Sequence, residues 1–151
     1  MALAQEPANQ RDTGRAAQAG SGAILVVDDE EAVRKLTARM LCSGGFDAIE
    51  ASSGAAAVER LEREAPRIRA AVVDVVMAEM NGRDLGAIIE RRWPHIRVLY
   101  MTGYAALRSA GTGPLAPPRP LIFKPFTSDQ LLARLRSLIE GAGGEGAGGA
   151  R

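Results

Sequence analysis

The chain has 151 residues, of which 46% are hydrophobic and 25% are charged, the balance of one globular domain with some additional sequence. The 19 basic and 18 acidic residues give a formal net charge of +1, so no overall positive field favours nucleic acid as a partner. The single cysteine, Cys42, excludes an intramolecular disulfide, and no apolar run approaches the length of a membrane span. We therefore expect a cytoplasmic protein without membrane or nucleic-acid contacts.

The two ends of the chain differ in composition from its middle. Residues 1–21 are polar and alanine-rich without a period, and we expect a disordered lead-in. Residues 141–151, GAGGEGAGGAR, are typical of a flexible glycine-rich tail. One folded domain is therefore predicted over residues 22–140, with no further DNA-binding domain.

Within this domain, short apolar runs alternate with helical patterns. Strands are predicted at AILVV (23–27), FDAIEA (46–51), RAAVVDVVM (69–77), RVLYMTG (97–103) and LIF (121–123). Helices are predicted at 31–45, 53–66, 82–94, 104–111 and 127–141, the fourth being short because a Gly- and Pro-rich segment follows it. The first helix has an apolar face of Val33, Leu36, Met40 and Leu41, with Cys42 as a small core residue beside it.

Strict alternation of strands and helices predicts parallel strands joined by crossover helices. The fold class that follows is α/β, a flavodoxin-like doubly wound (βα)5 sandwich. Its five-stranded parallel sheet is expected to have the order 2-1-3-4-5. In such sheets, ligands bind beyond the carboxyl ends of the strands.

Polar residues stand at those strand ends. Asp28 and Asp29 follow the first strand, Asp74 interrupts the apolar third, Thr102 ends the fourth, and Lys124 follows the fifth. Because the carboxyl ends of parallel strands lie at one edge of the sheet, we expect these side chains to meet there. Taken singly, each has a structural alternative; the aspartate pair, for example, is also typical of a helix N-terminus.

Three carboxylates that lie together need a compensating cation, because like charges disfavour each other's ionised forms. Mg²⁺ suits such an oxygen-rich site. With Lys124 and the Thr102 hydroxyl beside it, the set fits phosphoryl transfer to Asp74 as nucleophile. Lys124 would offset charge on the phosphoryl oxygens, and Thr102 would donate a hydrogen bond to one of them.

These residues resemble the receiver domain of two-component response regulators. The resemblance covers nearly all of residues 22–140 and rests on four segments in order: VVDDE (26–30), VVDVVMAEMNG (72–82), MTGYA (101–105) and FKPF (123–126). Each segment alone is weakly specific, whereas the four together are highly specific. The irregular segment before residue 120 is similar to that of receivers associated with hybrid histidine kinases.

The resemblance implies a role for each site residue. Asp74 is the implied phosphoacceptor and Asp29 the direct Mg²⁺ ligand, while Asp28 acts mostly through water. The backbone carbonyl of Val76 completes the implied metal site.

The resemblance also implies the switch and the partner. Thr102 is the implied switch hydroxyl and Lys124 the ion-pair partner of the phosphoryl group, with a cis bond between Lys124 and Pro125. The implied donor is a phosphohistidine on a sensor histidine kinase or a histidine phosphotransfer protein. The protein would then not be an enzyme in the usual sense, since its chemistry is limited to its own phosphorylation and slow dephosphorylation.

Two positions depart from the family pattern. Ala78 stands where receivers usually have proline, and Leu121 stands where many have the aromatic residue that rotates upon phosphorylation. Leu121 supports an alternative, a receiver-fold binding module that acts independently of phosphorylation. A third possibility, a Mg²⁺-dependent phosphohydrolase, lacks the acid/base carboxylate two residues after Asp74, where Val76 stands.

Overall fold

The structure is a computed structural model that describes residues 22–103 and 120–143. In chain order its elements are β1 (Ala23–Val27), α1 (Glu31–Ser43), β2 (Asp47–Ala51), α2 (Gly54–Glu64), a 3₁₀ turn (Ala65–Arg67), β3 (Ile68–Asp74), α3 (Gly82–Arg92), β4 (Arg97–Thr102), β5 (Leu121–Phe123) and α4 (Ser128–Gly143). None of the helices in these two ranges combines the length and apolar character needed to cross a bilayer.

The five strands form one sheet in the order β2-β1-β3-β4-β5, and all neighbours are parallel. The predicted fold class and strand order are therefore confirmed. Parallel neighbours require crossover connections, and the described helices α1, α2 and α3 provide three of them. The predicted helix at 104–111, the lead-in of residues 1–21 and the tail from residue 144 lie outside the described residues.

The sheet carries a hydrophobic core on each face because successive strand residues point to opposite sides. In β1, Leu25 and Val27 face one core and Ile24 and Val26 face the other. Leu61 of α2 and Leu85 and Ile89 of α3 belong to the first core. Leu41 of α1 and Leu131 and Leu135 of α4 belong to the second. All strands except the two at the sheet edges are thereby covered on both faces, which explains their nearly continuous apolar sequences.

The buried stripe of α1 differs from the predicted one. Leu36 is 50% exposed and Cys42 is also exposed, so both were wrongly assigned to the core. The helix instead buries Thr37, Ala38 and Leu41. Thr37 tolerates burial because its hydroxyl donates to the Val33 carbonyl at 2.8 Å. The prediction from apolar residues alone therefore placed the buried face of α1 about one residue away from the observed one.

The last helix begins with a reciprocal cap. The backbone N–H of Gln130 donates to the Thr127 hydroxyl at 3.1 Å, and the backbone N–H of Thr127 donates to the Gln130 side chain at 2.9 Å. This capping box satisfies two of the N–H groups that a helix terminus leaves unpaired. It confirms Thr127, one of the two predicted candidates, as the cap. The helix continues to Gly143, three residues beyond the predicted domain boundary.

Replacing Thr127 by alanine is expected to lower the free energy of unfolding by about 1 kcal/mol, because an N-cap hydroxyl is lost. Urea denaturation followed by circular dichroism measures the change. The neighbouring Ser128→Ala serves as control, since no described hydrogen bond involves the Ser128 side chain. An equal loss in both variants would contradict the assigned cap.

Candidate functional site

The sheet register places the predicted site residues side by side. Val27 of β1 is the register partner of Val73 of β3, so the residues that follow, Asp28 and Asp74, lie next to each other at the carboxyl edge. On the other side of β3, Thr102 is paired with Phe123, which precedes Lys124. The backbone N–H of Lys124 also donates to the Thr102 carbonyl at 2.8 Å. Backbone pairing alone thus brings the ends of these strands to one place.

Three carboxylates converge at this edge, as the sequence predicted. Oxygen atoms of Asp28, Asp29 and Asp74 all lie within 4.8 Å of one another. Asp28 is fully buried, Asp74 is nearly so, and Asp29 is exposed at the rim. One side of the cluster is therefore closed by the protein and the other opens to solvent.

Lys124 lies against the buried part of this cluster. Its ammonium Nζ is 3.1 Å from Asp28 Oδ2 and 3.4 Å from Asp74 Oδ1, and its side chain is 24% exposed. Burial alone would lower the pKa of Lys124, but the two carboxylates outweigh it and raise that pKa above its usual range. Lys124 therefore carries its positive charge between both aspartates. The Lys124–Pro125 peptide bond is cis, as the family resemblance implied.

The ionisation of Asp74 reflects competing effects. The pKa of its carboxyl lies at about 6 instead of 3.8 as the net result: burial raises it most, the attraction of Lys124 lowers it, and the nearby Asp28 charge raises it. Lys124 thus compensates only part of the cost of burying this carboxylate. A buried carboxyl group at which desolvation dominates is typical of a functional site.

Asp29 is held by a backbone group that the sequence did not point to. The N–H of Ala78 donates to Asp29 Oδ2 at 2.9 Å, which links the loop after β1 to the loop after β3. A proline at position 78, which is usual in the family that the sequence resembles, would have no N–H to donate. The departure at Ala78 therefore adds a contact to the acidic cluster.

The other predicted residues lie around the cluster. The Thr102 hydroxyl is buried and donates to the Gly103 carbonyl at 3.3 Å. Val76 is 54% exposed at the mouth of the site. Leu121 is half-buried and packs against the core that contains Tyr100, its register partner on β4. The roles assigned to these residues, and to the aspartates and Lys124, remain predictions.

The donor set fits a divalent cation. It combines three carboxylates, of which one is exposed, with a single ammonium that compensates only part of their charge. Hard oxygen ligands of this kind are those that Mg²⁺ prefers. Asp28, Asp29 and Asp74 could provide carboxylate oxygens to such an ion.

One contact of the site escaped the sequence analysis. Arg34 of α1 donates from Nη1 to the backbone carbonyl of Asp28 at 3.1 Å. An arginine in a helical pattern is usually a solvated residue, so nothing local distinguished it. Its place beside the buried stripe of α1, three residues before Thr37, became evident only from the structure.

Comparisons with known proteins agree with this geometry. Residues 24–136 match the family model described as "Response regulator receiver domain". The chain is 35% identical over 121 residues to the sensor kinase CckA of Brucella abortus, an alignment that covers 80% of this chain and 13% of that kinase. It is 34% identical over 109 residues to the response regulator protein FleR of Pseudomonas aeruginosa, covering 72% of this chain and 23% of that regulator. The chain thus spans only a small part of these relatives.

Receiver domains are among the solved structures with a similar fold. A receiver domain protein of Sinorhizobium medicae superposes with a TM-score of 0.69 at 30% identity, covering 81% of this chain and 97% of that one. The receiver domain from the hybrid histidine kinase CckA gives a TM-score of 0.65 at 27% identity, with 78% and 99% covered. The acidic cluster, the sheet order and the family match lead to one conclusion: the chain belongs to the response regulator receiver domain family.

Proposed function

We propose that the domain accepts a phosphoryl group on Asp74 from a phosphohistidine of a sensor histidine kinase or a histidine phosphotransfer protein. One observation carries the proposal: the Asp28, Asp29 and Asp74 carboxylates converge within 4.8 Å, and Lys124 contacts two of them. The similarity to a sensor kinase and to a response regulator supports this type of partner. We further propose that the exchange takes place in the cytoplasm, which the single cysteine favours.

The transfer forms one bond and breaks another. A carboxylate oxygen of Asp74 attacks phosphorus, the bond from phosphorus to the donor imidazole nitrogen breaks, and its electron pair returns to the ring. With a pKa of about 6, Asp74 is mostly ionised at neutral pH and has the charge that a nucleophile needs. Lys124, whose Nζ is 3.4 Å from Asp74 Oδ1, would contact an oxygen of the transferred group. Thr102 is the hydroxyl we assign to a second oxygen.

The metal ligands follow from the donor set. We assign Mg²⁺ to Asp28, Asp29 and Asp74, with the Val76 carbonyl as a further ligand. When bound, the cation supplies positive charge that offsets repulsion among the carboxylates and the phosphoryl oxygens. Asp29, the exposed member, would hold the cation at the solvent side of the site.

The result of phosphorylation is proposed to be a change in protein contacts. We propose no turnover of small substrates beyond the slow loss of the domain's own phosphate. Leu121 packs against the core at the position of the usual aromatic switch, so the proposed signal would have to pass through other groups. This same observation favours the second candidate, a binding module that acts independently of phosphate.

Phosphate uptake separates these candidates. The protein is incubated with phosphoramidate, a small donor with a phosphorus–nitrogen bond, with Mg²⁺ or with EDTA. We expect an acid-stable, base-labile increase in intact mass that requires Mg²⁺ and is abolished in Asp74→Asn. Asp84→Asn, which changes an exposed aspartate of α3, is the matched control and should retain full uptake. Absence of uptake in the unmodified protein would favour the binding module, and turnover of p-nitrophenyl phosphate would favour a hydrolase.

A further inference from the structure

Arg34 lies beneath the acidic cluster with its guanidinium largely hidden from solvent. Its side chain is only 13% exposed. Nη1 donates to the Asp28 carbonyl at 3.1 Å, and Nε donates to Glu50 Oε1 of β2 at 3.0 Å. The guanidinium thus connects the end of β2 with the loop that carries two of the proposed metal ligands. A planar guanidinium is suited to two contacts in fixed directions.

The positive charge of Arg34 lies at a position where a neighbouring negative charge is needed to stabilise it. Arg34 lies near the beginning of α1, where the helix dipole disfavours a cation. Glu50 provides an opposing charge, which it shares with Lys35, whose Nζ is 3.3 Å from the same oxygen and whose side chain is 51% exposed. Burial raises the pKa of Glu50, but its contacts with Arg34 and Lys35 outweigh that effect and lower the pKa. Glu50 therefore remains charged and holds the guanidinium at the Asp28 carbonyl.

Every polar group of the buried Asp28 is then occupied. Its N–H donates to the Ala51 carbonyl at 3.3 Å, and its Oδ1 accepts from the Glu30 N–H at 2.9 Å. Its Oδ2 pairs with Lys124 at 3.1 Å, which leaves the carbonyl, and Arg34 donates to that group. Removal of Arg34 would leave this carbonyl without that donor and take away one of the contacts that hold the loop.

We propose that Arg34 is a positioning residue for the acidic site: through the Asp28 carbonyl it fixes the orientation in which the Asp28 and Asp29 carboxylates meet a divalent cation. The inference rests on the proposed function, since it assigns the cluster to Mg²⁺. It concerns how the loop is held and is independent of whether Asp74 is phosphorylated. Lys35 contacts the same Glu50 without touching Asp28, and it has no such role.

The charge of Arg34 and its proposed positioning of the loop have opposite expected effects on Mg²⁺ affinity, so a measurement can distinguish them. A positive charge near the cluster opposes the binding of a cation, so its removal should by electrostatics alone strengthen Mg²⁺ binding. If Arg34 positions the loop, its removal should weaken binding instead. Arg34→Met preserves much of the apolar side chain, and Arg34→Lys preserves the charge but lacks the two-directional donors.

Isothermal titration calorimetry with MgCl₂ is the first measurement, applied to the unphosphorylated full chain. We expect the Mg²⁺ dissociation constant to rise about tenfold in Arg34→Met, which is the size of effect known for groups that orient metal ligands. In Arg34→Lys it should rise by a smaller factor. Lys35→Met, the control that removes an equal charge, should change it by less than about twofold. Unaltered or tighter Mg²⁺ binding in Arg34→Met would overturn the inference.

Amide hydrogen exchange of Asp28 in EDTA is the second measurement and needs no metal. Its N–H is buried, so we expect exchange about tenfold faster in Arg34→Met and little changed in Lys35→Met. If the unmodified protein binds no Mg²⁺, the metal assignment fails, and this exchange rate alone decides whether Arg34 holds the loop. Equal rates in all variants would overturn the inference. Thermal unfolding of each variant verifies that it is folded.

Discussion

Replacing Asp74 by asparagine is expected to stabilise the protein at pH 7 in magnesium-free buffer, by about 3 kcal/mol. The wild-type carboxyl has a pKa of about 6 in the folded protein instead of 3.8, chiefly because it is buried. The folded state therefore binds this proton more tightly than the unfolded chain does. Asparagine resembles the protonated carboxyl in shape and charge, and it removes the cost of a buried negative charge.

The direction of the pH dependence follows from the same values. The contribution of Asp74 to stability is fully present below about pH 4, decreases as the pH rises through about 6, and remains at its lower level above that. Urea denaturation at several pH values in EDTA would show this decrease in the wild type and its absence in Asp74→Asn. Asp84→Asn is the control and should not gain stability. Equal stability of wild type and Asp74→Asn at pH 7 would contradict the assigned burial cost.

A higher stability of Asp74→Asn would also make its loss of phosphate uptake easier to interpret. A variant that is more stable than the wild type yet takes up no phosphate has lost its acceptor and not its fold. Substitutions that remove an unfavourable buried group from a functional site commonly stabilise the fold and reduce function. In the proposed mechanism, the cation and Lys124 offset the buried charge of Asp74.

Replacing Gly82 by alanine is expected to destabilise the domain by about 3 kcal/mol, the upper part of the range for overpacking. A Cβ atom at this position would lie 2.2 Å from the Asp74 carbonyl oxygen and 2.8 Å from the Val75 Cα. Both neighbours are backbone atoms, which cannot move aside as a flexible side chain could. The first turn of α3 therefore approaches the end of β3 too closely for any side chain.

Because the displaced carbonyl belongs to the acceptor residue, we also expect phosphate uptake by Gly82→Ala to fall. Gly141→Ala in α4 is the matched control: a Cβ there meets nothing within 4 Å, and alanine favours a helix by up to about 1 kcal/mol over glycine. Urea denaturation of the two variants measures the difference. A Gly82→Ala variant as stable as the wild type would contradict this close approach.

The order of the amino acids was enough to predict the fold class, the strand order and the edge of the sheet at which the site lies. Alternating apolar runs and helical periods require parallel strands, and parallel strands place Asp28, Asp74 and Lys124 at one edge whatever the details of packing. The cis bond before Pro125, in contrast, was implied only by the family resemblance. Local pattern and general topology were sufficient for parallel pairing and for the edge of the site, because both follow from the alternation of strands and helices.

Which face of a helix is buried, and which polar groups support the site, became known only from the packing in three dimensions. In α1, apolar character favoured Leu36, but the contact stripe includes Thr37 because a side chain–backbone hydrogen bond makes its burial acceptable. The contacts of Ala78 with Asp29 and of Arg34 with Asp28 join residues from different elements. Their formation depends on the rotation of a helix and the path of a loop, which periodicity does not specify. The sequence therefore specified the charged groups of the site, and three-dimensional packing specified what holds them in place.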